Sequence, residues 1–498
     1  MKKLLLFLVA ACALSAGKAT AQDERPKLVV GLVVDQMRWD YLYFYRQQYG
    51  EGGLRRLIDE GFSCENTMIP YVPTVTAIGH SSVYTGSTPA LHGICGNNFF
   101  IRGRQVYCCG DSTVRSVGSD SREGQMSPRL MLASTIGDEL KLATDFRSRV
   151  VGVALKDRAA ILPAGHSADA AYWWDQSAGR FVSSTFYMEQ LPRWVEDFNK
   201  KNHTRPGFDL KTSDDGVSMT FRMAEAALEN EQLGQRGETD MLCVSISSTD
   251  AIGHTFSTRG EENRSVYMRL DRELAHFLDV LDRKIGRNQY LLFLTADHGA
   301  AHNYNFLAEH RIPAGAWESW NSVPELRRHL AEVFHTDRQL VVGESSYRIY
   351  LDHEGIADAG LKLADVKAEA ISWLRKDDRF QYVVDFERAA EATLPPLIRE
   401  RLCNGYNPDR AGDIAVITRP QVFITTDKPD YRGTSHGAWN SYDAHIPCVF
   451  LGWHVAHGAT SAPTAMTDIA PTVCQMLRIE MPNACIGQPI TALTDARR

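Results

Sequence analysis

The sequence predicts an α/β fold, with a largely parallel central sheet flanked by helices and cap insertions over the carboxyl edge of the sheet. Three observations carry this reading. Five apolar runs are continuous rather than alternating, the pattern of strands buried on both faces. Amphipathic stretches separate them, which is the element order of an α/β protein. Four of the five runs lead into ionisable residues at the strand end where open α/β sheets gather ligands.

The chain begins with MKK, the apolar run LLLFLVAACALSAG and then KATAQDE. A basic start, a short apolar segment and the small-x-small site Ala19-Thr20-Ala21 describe a secretory signal peptide over residues 1–21, cleaved near Ala21/Gln22. The apolar run is too short for a good membrane span. Val9-Ala10-Ala11-Cys12 loosely matches a lipoprotein cleavage box. The apolar segment before Cys12 is unusually short for that role, so lipid anchoring is the lesser reading. The expected mature domain spans residues 22–498 and is periplasmic or secreted, with no transmembrane anchor.

KLVVGLVVD (27–35) is the first strand run, followed by the helical pattern GLRRLIDEGF. YVPTVTAIGHSSVYTG (71–86) then passes from Pro-containing extended chain into a small-residue helix start at Thr76. Thr is a poor helix-interior residue, but it suits a helix start, where unpaired N–H groups and the positive end of the dipole await an anion. Thr76 is therefore either an N-cap or a nucleophile. SRVVGVAL (148–155), DMLCVSISSTD (240–250), QYLLFLTAD (289–297) and IPCVFLGW (446–453) complete the strand runs, with RSVYMRLDRELAHFLDVLDRK and TAMTDIAPTVCQMLRI as helices. Two regions interrupt the alternation. Residues 156–238 are rich in Trp, Tyr and polar residues with no strong strand run, and residues 302–430 mix short helices with β-like pieces. Both read as insertions packed over one edge of the sheet, with Trp173 and Trp174 in the first one's own small core.

The net charge of -7 and the pI near 6.2 argue against a nucleic-acid binder, which needs a basic footprint. Ten cysteines are permitted to pair in an exported chain, and Cys64, Cys95, Cys108 and Cys109 form the cluster expected to contain a bridge. No CxxC pair exists, which disfavours a thiolate zinc site.

The strand ends deliver Asp35, Lys156-Asp157-Arg158, Asp250 with His254 four residues on, and Asp297-His298, while His436 precedes the last run. Each alone is a turn cap, a solvated charge or a loop histidine. Together, three Asp and three His at one sheet edge form a hard-oxygen and imidazole set suited to two zinc ions with open positions. Thr76 then becomes a candidate activated nucleophile.

Asp35, Thr76-Ala77-Ile78-Gly79-His80, Asp250-x-x-x-His254, Asp297-His298 and His436 follow the order and approximate spacing of the alkaline phosphatase superfamily. With TGSTPALHGICGNNFF, ALKDRAAILPAGH and SHGAWNSYDAHIP, the mature chain resembles most closely the phosphate-irrepressible, PafA-type bacterial alkaline phosphatases. The resemblance implies an alkaline-phosphatase-like fold and two Zn2+ ions. One ion would be held by Asp250, His254 and His436, and the other by Asp35, Asp297 and His298 with the Oγ of Thr76. Asn97 would donate to a phosphoryl oxygen, with Asn98 as its neighbouring alternative, and Lys156 and Arg158 would reach the remaining oxygens. The implied enzyme is a phosphomonoesterase acting on small phosphate monoesters through a phosphothreonine on Thr76; a monomer is expected.

The same fold also hosts nucleotide pyrophosphatases and phosphodiesterases, and an inactive exported binding protein is the remote alternative. The Lys-x-Arg pair tips the reading towards the dianion of a monoester. His80 and His92 are expected to pack near the nucleophile, and His166 and Asp157 to position the Lys-Arg pair. His302, His310 and His445 are expected outside the ligand set.

Overall fold

In the computed structural model, residues 25–494 are described, and the expected leader with its cleavage site lies outside them. A ten-stranded sheet forms the centre. Its strands are β1 (Leu28–Val34), β2 (Phe62–Cys64), β3 (Ser116–Val117), β4 (Val150–Ala154), β5 (Ala170–Asp175), β6 (Arg180–Ser184), β7 (Asp240–Ile246), β8 (Tyr290–Thr295), β9 (Cys448–Gly452) and β10 (Gly458–Thr460). Across the sheet the order is β10-β2-β9-β8-β1-β7-β4-β5-β6-β3.

The run β8-β1-β7-β4-β5 is parallel throughout, and antiparallel β9 and β6 flank it. Every residue of β1, β7 and β8 is buried, which is why these strands read as unbroken apolar runs. Helices cover the faces: α1 (Thr76–Thr85), α2 (Asp157–Ala164), α3 (Asp215–Asn230), α4 (Ser248–Phe256) and α5 (Glu261–Leu281). In α5 the buried Val266, Leu270, Leu274, Phe277 and Leu281 recur at three- and four-residue steps, the stripe that holds an amphipathic helix on a sheet. Among the described residues no helix is long and apolar enough to cross a membrane.

Residues 156–238 depart from the expected insertion. Within them β5 and β6 extend the main sheet, and α3 leads back into its centre through β7. Trp174 joins the main apolar core and Trp173 a second core, so the two rings belong to cores that reach well beyond this segment. The strand AAYWWD escaped notice because alanine and tryptophan replace the Val, Ile and Leu of its neighbours, although all six residues are buried.

In residues 302–430, a separate four-stranded antiparallel sheet runs Val341–Ser345, Arg348–Leu351, Ile414–Thr418, Phe380–Asp385, with its own apolar cluster around Trp317, Leu326, Ile349 and Leu374. The bridge expected among Cys64, Cys95, Cys108 and Cys109 does not form, and all nine described cysteines are free. Cys64 lies in the main core beside Cys448, whereas the other three lie in the second core.

Candidate active site

Four adjacent parallel strands end side by side and bring the predicted strand-end residues together. Asp35 follows β1, Lys156 follows β4, Asp250 stands in the first turn of α4 after β7, and Asp297-His298 follow β8. His254 comes from the same helix as Asp250, one turn on, and His436 from the loop before β9.

The three histidines are held in one way. Nδ1 of His254 meets the carbonyl of Thr434 at 2.9 Å, Nδ1 of His298 that of Gly299 at 2.9 Å, and Nδ1 of His436 that of Thr74 at 2.7 Å. A carbonyl can only accept, so each ring carries a proton on Nδ1, which in the neutral form leaves the lone pair on Nε2. The Nε2 atoms face carboxylates; burial works against a charge on His254, but Asp250 outweighs it and raises that ring above the usual histidine range. Nε2 of His254 and of His436 lie 3.1 and 3.7 Å from Asp250 Oδ1, and Nε2 of His298 lies 3.6 Å from Asp35 Oδ1 and 3.5 Å from Asp297 Oδ2. The rings of His298 and His436 stack 3.5 Å apart.

Two groups of side chains are close enough to hold an ion: Asp250 with His254 and His436, and Asp35 with Asp250 and His298, each set within 4.8 Å. Asp297, expected in the second set, reaches it through His298, and Asp250 stands in both. Asp35 Oδ1 and Asp297 Oδ2 are buried without a hydrogen-bond donor, an expensive arrangement for carboxylate oxygens that a cation would relieve. Oxygen and imidazole donors of this kind fit zinc.

Electrostatics divides the cluster. Burial, with Asp250 and Asp297 close by, pushes Asp35 well above the usual carboxylate range. Burial works the same way on Asp250, but His254 and Lys156 outweigh it and hold Asp250 well below that range. Burial, with His298 and His254 nearby, drives His436 well down, and burial also lowers His298, so both favour the neutral, ligating form.

Thr76 is the first residue of α1, and the N-cap is Val75, in extended conformation. The Thr76 hydroxyl makes no capping bond; its Oγ lies 3.5 Å from Nε2 of His298. Asn97 Oδ1 accepts the N–H of Ala77, the residue after Thr76, at 3.0 Å, whereas Asn98 is exposed on the next strand. Lys156 Nζ lies 2.6 Å from Asp35 Oδ2 and 2.5 Å from Asp250 Oδ2, inside the acidic cluster. Arg158 instead donates to the hydroxyl of Tyr107 at 3.1 Å, which donates to Asp157 Oδ1 at 2.8 Å.

His80 and His92 are fully buried, the first bonded to Thr76 O and Ser245 Oγ, the second to Ser82 Oγ. His166 sits at the far end of α2 against Met131 O and Asp138, so it does not position the Lys-Arg pair. His302 bonds Thr258 Oγ1, exposed His310 bonds Phe306 O, and His445 stacks on Trp39. Sequence reasoning missed Gln36, Tyr107 and Asp443. Gln36 directly follows a strand-end Asp, and that adjacency was the only signal.

The sequence model of the type I phosphodiesterase/nucleotide pyrophosphatase family matches residues 29–443. A Myroides odoratus protein named "Calcium-transporting ATPase" is 46% identical, covering 95% of this chain and 95% of its own. "Alkaline phosphatase PafA" of Elizabethkingia meningoseptica is 41% identical over 98% of each chain. The crystal structure of wild-type alkaline phosphatase PafA superposes with a TM-score of 0.91 at 41% identity, covering 94% of this chain and 99% of that one. A mutant of that enzyme, with one threonine changed to serine and an asparagine, a lysine and an arginine changed to alanine, matches at a TM-score of 0.90 and 40% identity over the same shares. The chain belongs to the type I phosphodiesterase/nucleotide pyrophosphatase family of the alkaline phosphatase superfamily.

Proposed function

We propose that the chain is an exported, zinc-dependent phosphomonoesterase of the alkaline phosphatase type, with Thr76 as its nucleophile. The observation that carries this is the set of three Nδ1-anchored histidines presenting Nε2 to three buried carboxylates beside the Thr76 hydroxyl. The names of the PafA relatives support it, as does the match in residue type between the four positions altered in the PafA mutant and Thr76, Asn97, Lys156 and Arg158. The leader supports export.

Asp250, His254 and His436 would hold one Zn2+, and Asp35, Asp297 and His298, with Thr76 Oγ, the other. Bound there, the ions supply Lewis-acid stabilisation of the attacking and leaving oxygens. Thr76 Oγ attacks phosphorus as the bond to the leaving oxygen breaks, giving a phosphothreonine and the free alcohol. Water then attacks the same phosphorus, the Oγ–P bond breaks, and inorganic phosphate leaves. Asn97 donates its free amide hydrogens to a phosphoryl oxygen, while Lys156 and the Arg158 fork bind the others. Tyr107 and Asp157 orient Arg158.

A phosphodiesterase reading shares every residue except a use for two cations at the phosphoryl group, because a diester carries one fewer charge. Release of a terminal phosphoryl from a nucleoside triphosphate, the reaction in the Myroides protein's name, uses the same attack. Turnover of a phosphate monoester, a matched diester and ATP, side by side with zinc supplied, separates these. The proposal expects the monoester to be preferred to the diester and Lys156→Ala/Arg158→Ala to erode that preference. A wild-type preference for the diester contradicts it.

A further inference from the structure

We propose that Gln36 is a positioning residue that sets the carboxylates of both metal sites at once. It rests on the zinc reading above. Gln36 follows Asp35 at the end of β1 with φ of 64°, a left-handed conformation uncommon for a residue with a side chain. That turn sends its two donors in different directions. The main-chain N–H donates to Asp297 Oδ1 at 3.1 Å, and the side-chain Nε2 donates to Asp250 Oδ1 at 2.6 Å.

Both accepting carboxylates face ligand histidines. Asp250 Oδ1 is the oxygen that Nε2 of His254 and His436 face, and Asp297 faces His298 through its other oxygen. Asp297 Oδ1 also accepts the main-chain N–H of His298 at 2.9 Å, so Gln36 shares with His298 the bonds that leave Asp297 Oδ2 free to ligate, while its amide alone fixes Asp250 Oδ1 and leaves it a further lone pair. Gln36 is 3% exposed, so no water replaces these donors without repacking. The space around the amide is fitted: a Cβ on Gly253, in α4 one residue before His254, would stand 1.9 Å from Gln36 Oε1. The glycine makes room for the amide between β1 and α4.

Outer hydrogen bonds to ligating carboxylates typically change metal affinity about 10–100-fold when removed. Gln36→Met keeps the volume and the main-chain N–H but loses the amide donor to Asp250. Gln36→Glu keeps the shape and replaces the donor with a fourth carboxylate beside Asp35, Asp250 and Asp297. Zinc binding is measured by titrating the stripped full-length mature protein against a competing chelator, with urea unfolding of the metal-free form as the control on folding.

Wild type is expected to bind two zinc ions per chain. Gln36→Met should bind the weaker-held one about 10-fold or more less tightly, while its metal-free form still unfolds in one cooperative transition, and Gln36→Glu should lose more. Two ions bound at wild-type affinity by both variants would overturn the role of Gln36. A wild type that binds no zinc would instead overturn the zinc reading beneath it.

Discussion

The Nζ of Lys156 lies 2.6 Å from Oδ2 of Asp35, so a lysine assigned to the substrate also neutralises the buried acidic cluster. Burial works against its charge, but Asp250 and Asp35 outweigh that and raise it above the usual lysine range. Removing it leaves three buried carboxylates with less compensation. Lys156→Met should therefore destabilise the zinc-stripped protein by about 3–5 kcal/mol, the usual cost of orphaning one side of a buried pair. Zinc should restore much of the loss, because added cations neutralise the same oxygens. Urea unfolding of stripped and loaded protein reads both.

Asp443 gives the fold a pH dependence. Its carboxylate accepts the N–H of Ala438, two residues past His436, and burial pushes it up to about 8. Its folded value lies above the unfolded one, so the folded state holds a proton that the unfolded state has released. Stability is full below the unfolded carboxylate range and falls as pH rises towards 8, by at most about 1.4 kcal/mol per unit. Asp443→Asn keeps an acceptor for Ala438 and should flatten that slope in unfolding midpoints taken from pH 5 to 8. An unchanged slope would remove Asp443 as its source.

Gly79 lets α1 lie against the end of β8, since a Cβ there would stand 2.3 Å from Asp297 O and 2.6 Å from Asp297 Cβ. Gly79→Ala must push the helix, and Thr76 at its start, away from Asp297. Displacing the proposed nucleophile by about 1 Å costs on the order of 100-fold in turnover. A kcat within threefold of wild type would show that the helix start is not held by this contact.

Much of this site is legible in the sequence. Continuous apolar runs mark strands buried on both faces, and in a parallel sheet their ends converge, so Asp35, Lys156, Asp250, Asp297 and His298 can be placed together from the runs that precede them. The rest depends on contacts that no local pattern encodes. Gln36 reaches Asp250, 214 residues away, by a positive φ, and Tyr107 reaches Asp157 across 50 residues. Spacing from Thr76 prefers Asn97 to Asn98, and the fold adds that Asn97 is the one that accepts the N–H of Ala77. Residues 156–238 misled because burial of β5 rests on alanine and tryptophan, whose pattern lacks the aliphatic signature of its neighbours.

Chelation should lower the melting temperature of the loaded enzyme. A ligand bound only by the folded state stabilises it by RT ln(1 + [L]/Kd), about 4 kcal/mol at a thousandfold excess over Kd. Re-addition of zinc should restore the transition and calcium should not, given the imidazole-rich donor set. Equal recovery with calcium would contradict the zinc assignment.

The central claim is that Thr76 carries the phosphoryl group. Its most direct test is turnover of a phosphate monoester by zinc-loaded wild type and Thr76→Ala, with zinc content measured on both. A loss on the order of 10³-fold or more in kcat, with zinc retained, is the result expected when a nucleophile is removed. Thr76→Ala turning over within tenfold of wild type would contradict it.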